Sequence, residues 1–231
     1  MTDKYNDPLD DFGVDSDKRE TSGDEYESMT AAEVVEKLEE AWQNEKFAPE
    51  ILECRTEVVD CVMELIRDME ENISHVKRGD LVAGIHKLEL DRIKYVLSSY
   101  LRQRILKIQD HALHILEQEA TRSSATSSRL SPGELAFAKE YAENVETHLH
   151  SLTLRHMPSN FQHVEKRNAI TRPNVEGYVF VKVLEKSEKV LLDAEDDGAD
   201  GATVDLDLDN QYILRYKAVS SLVHTGALRL I

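Results

Sequence analysis

The sequence predicts an α+β chain: an N-terminal helical bundle of four to five helices followed by a small C-terminal β-rich domain. Residues 30–155 hold four apolar stripes at helical spacing, each with recognisable start and stop residues. Beyond Pro158 the apolar residues regroup into short β-branched and aromatic runs bounded by turn formers. Residues 92–108 (RIKYVLSSYLRQRILKI) carry apolar side chains over about 180° of a helix, where a surface helix needs a stripe of little over 100°. That helix wants company on more than one side, from the middle of a bundle or from a partner subunit.

Residues 1–28 hold ten acidic residues against three basic ones and little that can form a core, so they read as a disordered acidic tail. One island in it, Pro8-Leu9-Asp10-Asp11-Phe12, mixes apolar and acidic residues in the manner of a short docking peptide. A helical domain is expected over 29–156. Thr30-x-x-Glu33 is a capping box, and Val34, Leu38, Ala41 and Trp42 follow on one face until Pro49. Val58, Val62, Leu65, Met69 and Ile73 mark a second helix, closed by Gly79. Asp80 caps the third and longest, which fades near 110–116. After a Ser/Thr-rich loop, Ser131-Pro132-Gly133-Glu134 restarts the fourth, with Pro at the first helical position.

Residues 157–176, with Pro158 and Pro173, read as a linker into a β-rich domain over 177–231. Strands are expected at 178–184, 189–192, 202–208 and 211–216, one helical turn at 219–224, and a last strand at 227–231. A domain that small is marginal alone and should lean on the helices or on another chain. Val179, Val181, Leu222, Val223, Leu228, Leu230 and Ile231 should fill its core or a subunit contact, and removing 228–231 should prevent assembly.

The formal net charge of −17 argues against a free-standing duplex binder, which would show a basic balance or face. Arg92, Lys94, Arg102 and Lys107 near Tyr95 define the alternative, a single-stranded nucleic-acid module on the third helix, but they scatter around it. Cys54 and Cys61, seven apart in a helical pattern, are too distant for a disulfide and suit a reducing compartment. The acidic N-terminus has no apolar run, so no secretory leader is expected, and no membrane contact. His111, His114 and Glu117 have metal-compatible spacing without a third strong ligand nearby. The acidic run 193–204 mimics a calcium loop but puts Val204 where a bidentate Glu belongs. No nucleotide, hydrolase or metalloprotease motif is present, so neither enzyme activity nor a cofactor is expected. Arg104 falls inside the apolar arc; a charge there must be paired, for instance with a partner's carboxylate, or must keep its head wet.

Five strings add to these readings: 41–49 (AWQNEKFAP), 92–102 (RIKYVLSSYLR), 131–138 (SPGELAFA), 155–158 (RHMP), and 214–217 (LRYK) with the closing Leu230-Ile231. In this order they resemble the Sld-five-type subunits of the GINS complex, over about 30–231. The resemblance implies a non-catalytic scaffold in an assembly of four related chains, each with a helical and a small β domain. It implies nuclear work in DNA replication, beside the MCM ring and a RecJ-like accessory protein, with DNA touched at most indirectly. The surfaces expected to meet the three siblings are Trp42, Val96, Leu97, Tyr100, Leu101, Arg104, Ile105 and Ile108 in the helices. In the β domain they are Leu222, Val223, Leu228, Leu230 and Ile231. In some relatives an acidic N-terminal peptide docks on a trimeric replisome hub, a part that Leu9, Asp10, Asp11 and Phe12 would play here.

Overall fold

Thr30 accepts the Glu33 amide on its hydroxyl while Glu33 takes the Thr30 amide, and this capping box opens α1 (Ala31–Phe47). The computed structural model describes residues 29–75, 81–122, 128–162, 170–191 and 203–231. The acidic tail with its 8–12 island, the expected stop at Gly79 and cap at Asp80, most of the Ser/Thr-rich loop and the 193–201 segment lie outside these residues. Helices α2 (Thr56–His75) and α3 (Leu81–Thr121) follow. A second capping box, Ser131 with Glu134 and Pro132 in the first turn, opens α4 (Pro132–Leu152). Two short 3-10 turns, Leu154–His156 and Ser159–Phe161, lead out of the helices.

The β-rich part is built on β1 (Tyr178–Val183), β2 (Ser187–Leu191), β3 (Thr203–Leu206), β4 (Gln211–Arg215) and β5 (Leu228–Leu230). One antiparallel sheet has the order β4-β1-β5; β2 and β3 form a separate antiparallel pair. Between β4 and β5 lies α5 (Tyr216–Thr225), ten residues where the sequence suggested one turn. It leaves β4 without an intervening turn, and its N-cap Arg215 makes no side-chain capping bond, so no local signal announces it. Its stop is conventional: Gly226 at φ 84°, the left-handed conformation that glycine adopts without penalty.

Three apolar clusters hold the chain together. Val34 and Leu38 of α1, Val62 and Ile66 of α2, and Leu90, Ile93, Val96, Leu97 and Tyr100 of α3 form the first. Ile108 and Ile115 meet Ala138 of α4 in the second. Val181, Val183, Leu214, Tyr216, Val219, Leu228 and Leu230 form the β-rich core. Most of the wide arc of α3 is therefore closed by its own bundle, with α1 and α2 on one stretch and α4 on the next, and its Leu101 and Ile105 stay exposed. Helix α3 also runs on to Thr121, beyond the expected fade. The backbone leaves helical geometry only at His111 (φ −124°, ψ 25°), whose Nδ1 donates to the Thr171 carbonyl at 3.1 Å.

The connection between α1 and α2 enters all of this. Ile51 packs into the α3–α4 cluster, while Ala48 and Leu52 complete the β-rich core. The β-rich part thus borrows two core residues from the helical part, as its small size demands.

Candidate interaction surfaces and the ion cluster behind them

Arg104 occupies the centre of the helical part at 0% exposure. Its Nε and Nη2 form a fork on Glu134 at 2.7 and 3.0 Å. Nη1 reaches Glu45 at 3.1 Å and the Leu52 carbonyl at 2.9 Å, and Nη2 also reaches the Arg129 carbonyl at 2.9 Å. Every N–H of the guanidinium is used, and the two carbonyls belong to non-helical chain that needs donors. Burial opposes the charge, but the Glu134 hydrogen bonds and the Glu45 charge outweigh it and hold the arginine firmly protonated. This corrects the sequence expectation for Arg104. Its carboxylates come from its own chain, 59 and 30 residues away, and no donor remains for a partner.

Lys107 extends the cluster. Its ammonium meets Glu45 Oε1 at 2.7 Å, the Glu50 carbonyl at 2.8 Å and the Glu45 carbonyl. Burial lowers its pKa, with the Glu45 charge pulling the other way. Glu50 then bridges to the β-rich part: it takes Arg129 Nη1 at 2.9 Å and the Tyr216 hydroxyl at 3.0 Å, with His224 Nε2 at 3.5 Å. Burial alone would raise its pKa, but the bonds from His224, Arg129 and Tyr216 bring it down to about 2. Asn44 accepts the Leu230 amide at 2.8 Å and Gln43 accepts Arg229 Nε at 2.9 Å, so the end of α1 also caps the edge strand β5.

The residues expected at partner contacts separate cleanly. Val96, Leu97, Tyr100, Arg104 and Ile108 are buried in the helical part, and Val223, Leu228 and Leu230 in the β-rich part. Leu222 is half-buried, and Leu101, Ile105 and Ile231 stay exposed. Trp42 is half-buried with its indole N–H on Ser99 at 2.9 Å and Lys46 over its ring. Loss of 228–231 would therefore remove a strand and two core leucines before any assembly step.

The basic residues of the third helix do not gather: Arg92 pairs with Glu39 and Glu89, Lys94 with Glu70, and Lys107 with Glu45, and Arg102 stands exposed, so nothing supports the nucleic-acid alternative. Cys54 lies in the α1–α2 connection, not in helix with Cys61, and both are free thiols. Among the described residues no three potential ligands gather for a metal, and no helix is long and apolar enough to cross a membrane.

Exposed apolar surface lies elsewhere. Leu81, Ile85, Leu88 and Tyr95 fall on one face of α3, away from its buried arc, with Leu81 77% and Leu88 71% exposed. Their spacing, i, i+4, i+7 and i+14, is present in the sequence but is sparser than the apolar run at 92–108. Val145, Leu149 and Leu152 repeat the pattern on the outer face of α4. Between α3 and α4 an open groove of about 470 Å³ has Leu113, Leu116, Ala142 and Ile170 in its wall and Glu117, Glu143 and Glu146 around it. Large contiguous apolar surface on a folded chain marks contact with another macromolecule.

Known proteins place the chain. The GINS complex protein helical bundle domain matches residues 64–153, and the C-terminal domain of the DNA replication complex GINS protein SLD5 matches 173–231. The mouse DNA replication complex GINS protein SLD5 is 48% identical over 223 residues, 96% of this chain and 98% of that protein. This chain belongs to the SLD5 family of GINS complex proteins. The human SLD5 is 46% identical over 96% of this chain and 98% of its own length. The SLD5 of Arabidopsis thaliana is 33% identical over 90% of this chain and 95% of its own. The two SLD5 family regions correspond to the helical part from within α2 to the end of α4 and to the whole β-rich part.

Proposed function

We propose that this SLD5-family chain is a non-catalytic scaffold subunit of a GINS complex, acting in DNA replication by holding partner proteins in fixed positions. One observation carries the reading. The ionic and apolar needs of the chain are met internally, yet α3 and α4 keep long apolar stripes facing outward. A self-sufficient monomer has no use for such stripes; an obligate subunit does, because permanent interfaces resemble a core cut in half. The partner contacts are Leu81, Ile85, Leu88 and Tyr95, joined by Leu101, Ile105, Leu222, Ile231 and the rim of Trp42.

In the same reading the partners are three sibling GINS subunits in a heterotetramer, and through them the MCM ring and a RecJ-like accessory protein, in the nucleus. The chain divides into the tail 1–28, the helical domain 29–156, the linker 157–176 and the β-rich domain 177–231. Leu9, Asp10, Asp11 and Phe12 dock on a replisome hub; a 1–28 peptide that fails to bind that hub in titration would remove this element alone.

Co-expression with the three siblings followed by size-exclusion chromatography tests the scaffold reading. A single monodisperse species with all four chains is expected, and its loss with Ile85→Glu plus Leu88→Glu. A wild-type chain that elutes alone as a stable monomer in the siblings' presence would refute it.

A further inference from the structure

Helix α4 carries one apolar stripe, Leu135, Ala138, Ala142, Val145, Leu149 and Leu152, spaced strictly three and four apart. That spacing is the seam of two helices wound at a shallow angle. The chain itself uses only the first half. Ala138 is buried in the cluster with Ile108 and Ile115 of α3, and Leu135 packs against the same cluster. Beyond Ala142 the cover stops: Val145, Leu149 and Leu152 are 41%, 45% and 63% exposed. All ten residues of 143–152 are exposed, yet all are helical. A helical stretch of that length is marginal in water unless its apolar face is packed. The second half of the stripe therefore fits a helix that takes over where α3 leaves off.

The charge beside the stripe says what kind of helix. The groove of about 470 Å³ between α3 and α4 opens next to Ala142, with Leu113 and Leu116 in its wall. Its rim is acidic. Glu117 and Glu143 are exposed, and their carboxylates pair with nothing among the described residues. Glu146 already has a partner within its own chain, and Lys139 is the single cation among the lining residues. An apolar seam with unpaired carboxylates at its edge fits an amphipathic helix with lysines or arginines on its flank. A second copy of α4 fits less well, because it would bring the same carboxylates against each other, and like charges in a contact cost several kcal/mol. Nucleic acid and anionic lipid are repelled in the same way.

We propose that the second half of the α4 stripe and the groove beside it dock a basic amphipathic helix of a sibling subunit. The apolar residues of that helix, also three and four apart, lie on Val145, Leu149 and Leu152, and its lysines or arginines face Glu117 and Glu143. The assignment rests on the scaffold reading for the source of the helix. It uses a surface distinct from the α3 stripe, so it can fail while that reading survives.

Photocrosslinking within the assembled complex tests it, with benzoylphenylalanine in place of Leu149 and the adducts mapped by mass spectrometry. Adducts are expected on one helix of one sibling, at residues three or four apart, with a lysine or arginine within a turn of each. Glu117→Lys plus Glu143→Lys, at two exposed positions, should raise the dissociation constant of the complex about fivefold at low salt. The effect should fade at high salt, where screening removes the charge contribution. Adducts confined to the same chain, to a second copy, or to a sibling segment without cations would overturn the assignment. So would a yield no higher than in denaturant, or a dissociation constant that the double reversal leaves unchanged at low salt. A wild-type chain that never assembles with its siblings would remove the scaffold reading as well.

Discussion

Two faces of one helix, α3, behave in opposite ways. The face with Ile93, Leu97, Tyr100, Arg104 and Ile108 is sealed by α1, α2, α4 and the α1–α2 connection. The face with Leu81, Ile85, Leu88 and Tyr95 meets solvent. The sealed face contains a fully buried charge, Arg104, and the open one keeps Leu81, Ile85, Leu88 and Tyr95 in solvent around Arg92, which pairs with Glu39 and Glu89. Density of apolar residues therefore locates the core of this chain, and isolation of apolar residues among polar ones locates its outward surface.

Arg104→Ala breaks the sealed face most severely. It leaves Glu134 without a cation and Glu45 with Lys107 alone, and loss of one member of a buried pair costs about 3–5 kcal/mol. Denaturant unfolding should show a free energy of unfolding lowered by that amount, with a correspondingly lower midpoint. Arg104→Lys should not restore it, since an ammonium cannot bridge Glu134 through two nitrogens. Leu88→Glu sharpens the contrast from the open side. Unfolding should stay within about 0.5 kcal/mol of wild type, while association with the sibling subunits, read by analytical ultracentrifugation, weakens by about 2–3 kcal/mol.

Glu50→Gln tests the bridge to the β-rich part, at about 2 kcal/mol near neutral pH after allowing for its partial exposure. The folded carboxyl titrates at about 2, below its ordinary value of 4.5. Its contribution is whole above pH 4.5 and drains away as pH falls toward 2. The wild type should thus lose its advantage over Glu50→Gln across that window; a difference constant from pH 7 to 2 would contradict the assignment. Trp42→Phe is the mildest change. It removes the bond to Ser99 and should cost about 1 kcal/mol in thermal unfolding.

Much of the fold was legible because its signals are local. Both capping boxes open helices within one residue of where Thr30 and Ser131 place them, and the alternating run at Tyr178–Val183 is the central strand. What stayed hidden depends on distance along the chain. Arg104 gave itself away as a charge needing a partner, but Glu45 and Glu134 are invisible to any window of helical length. Helix α5 was underestimated because it grows out of β4 with no capping side chain. Leu81, Ile85 and Leu88 were within reach of the same helical wheel that singled out 92–108.

Hydroxyl-radical footprinting of the chain alone and within the assembled GINS complex tests the central claim most directly. Leu88 and Tyr95 should be reactive in the lone chain and protected on assembly, with Leu97 and Tyr100 protected in both. Leu88 and Tyr95 equally reactive in both states, or Tyr100 protected only after assembly, would contradict the division of α3 into an inner and an outward face.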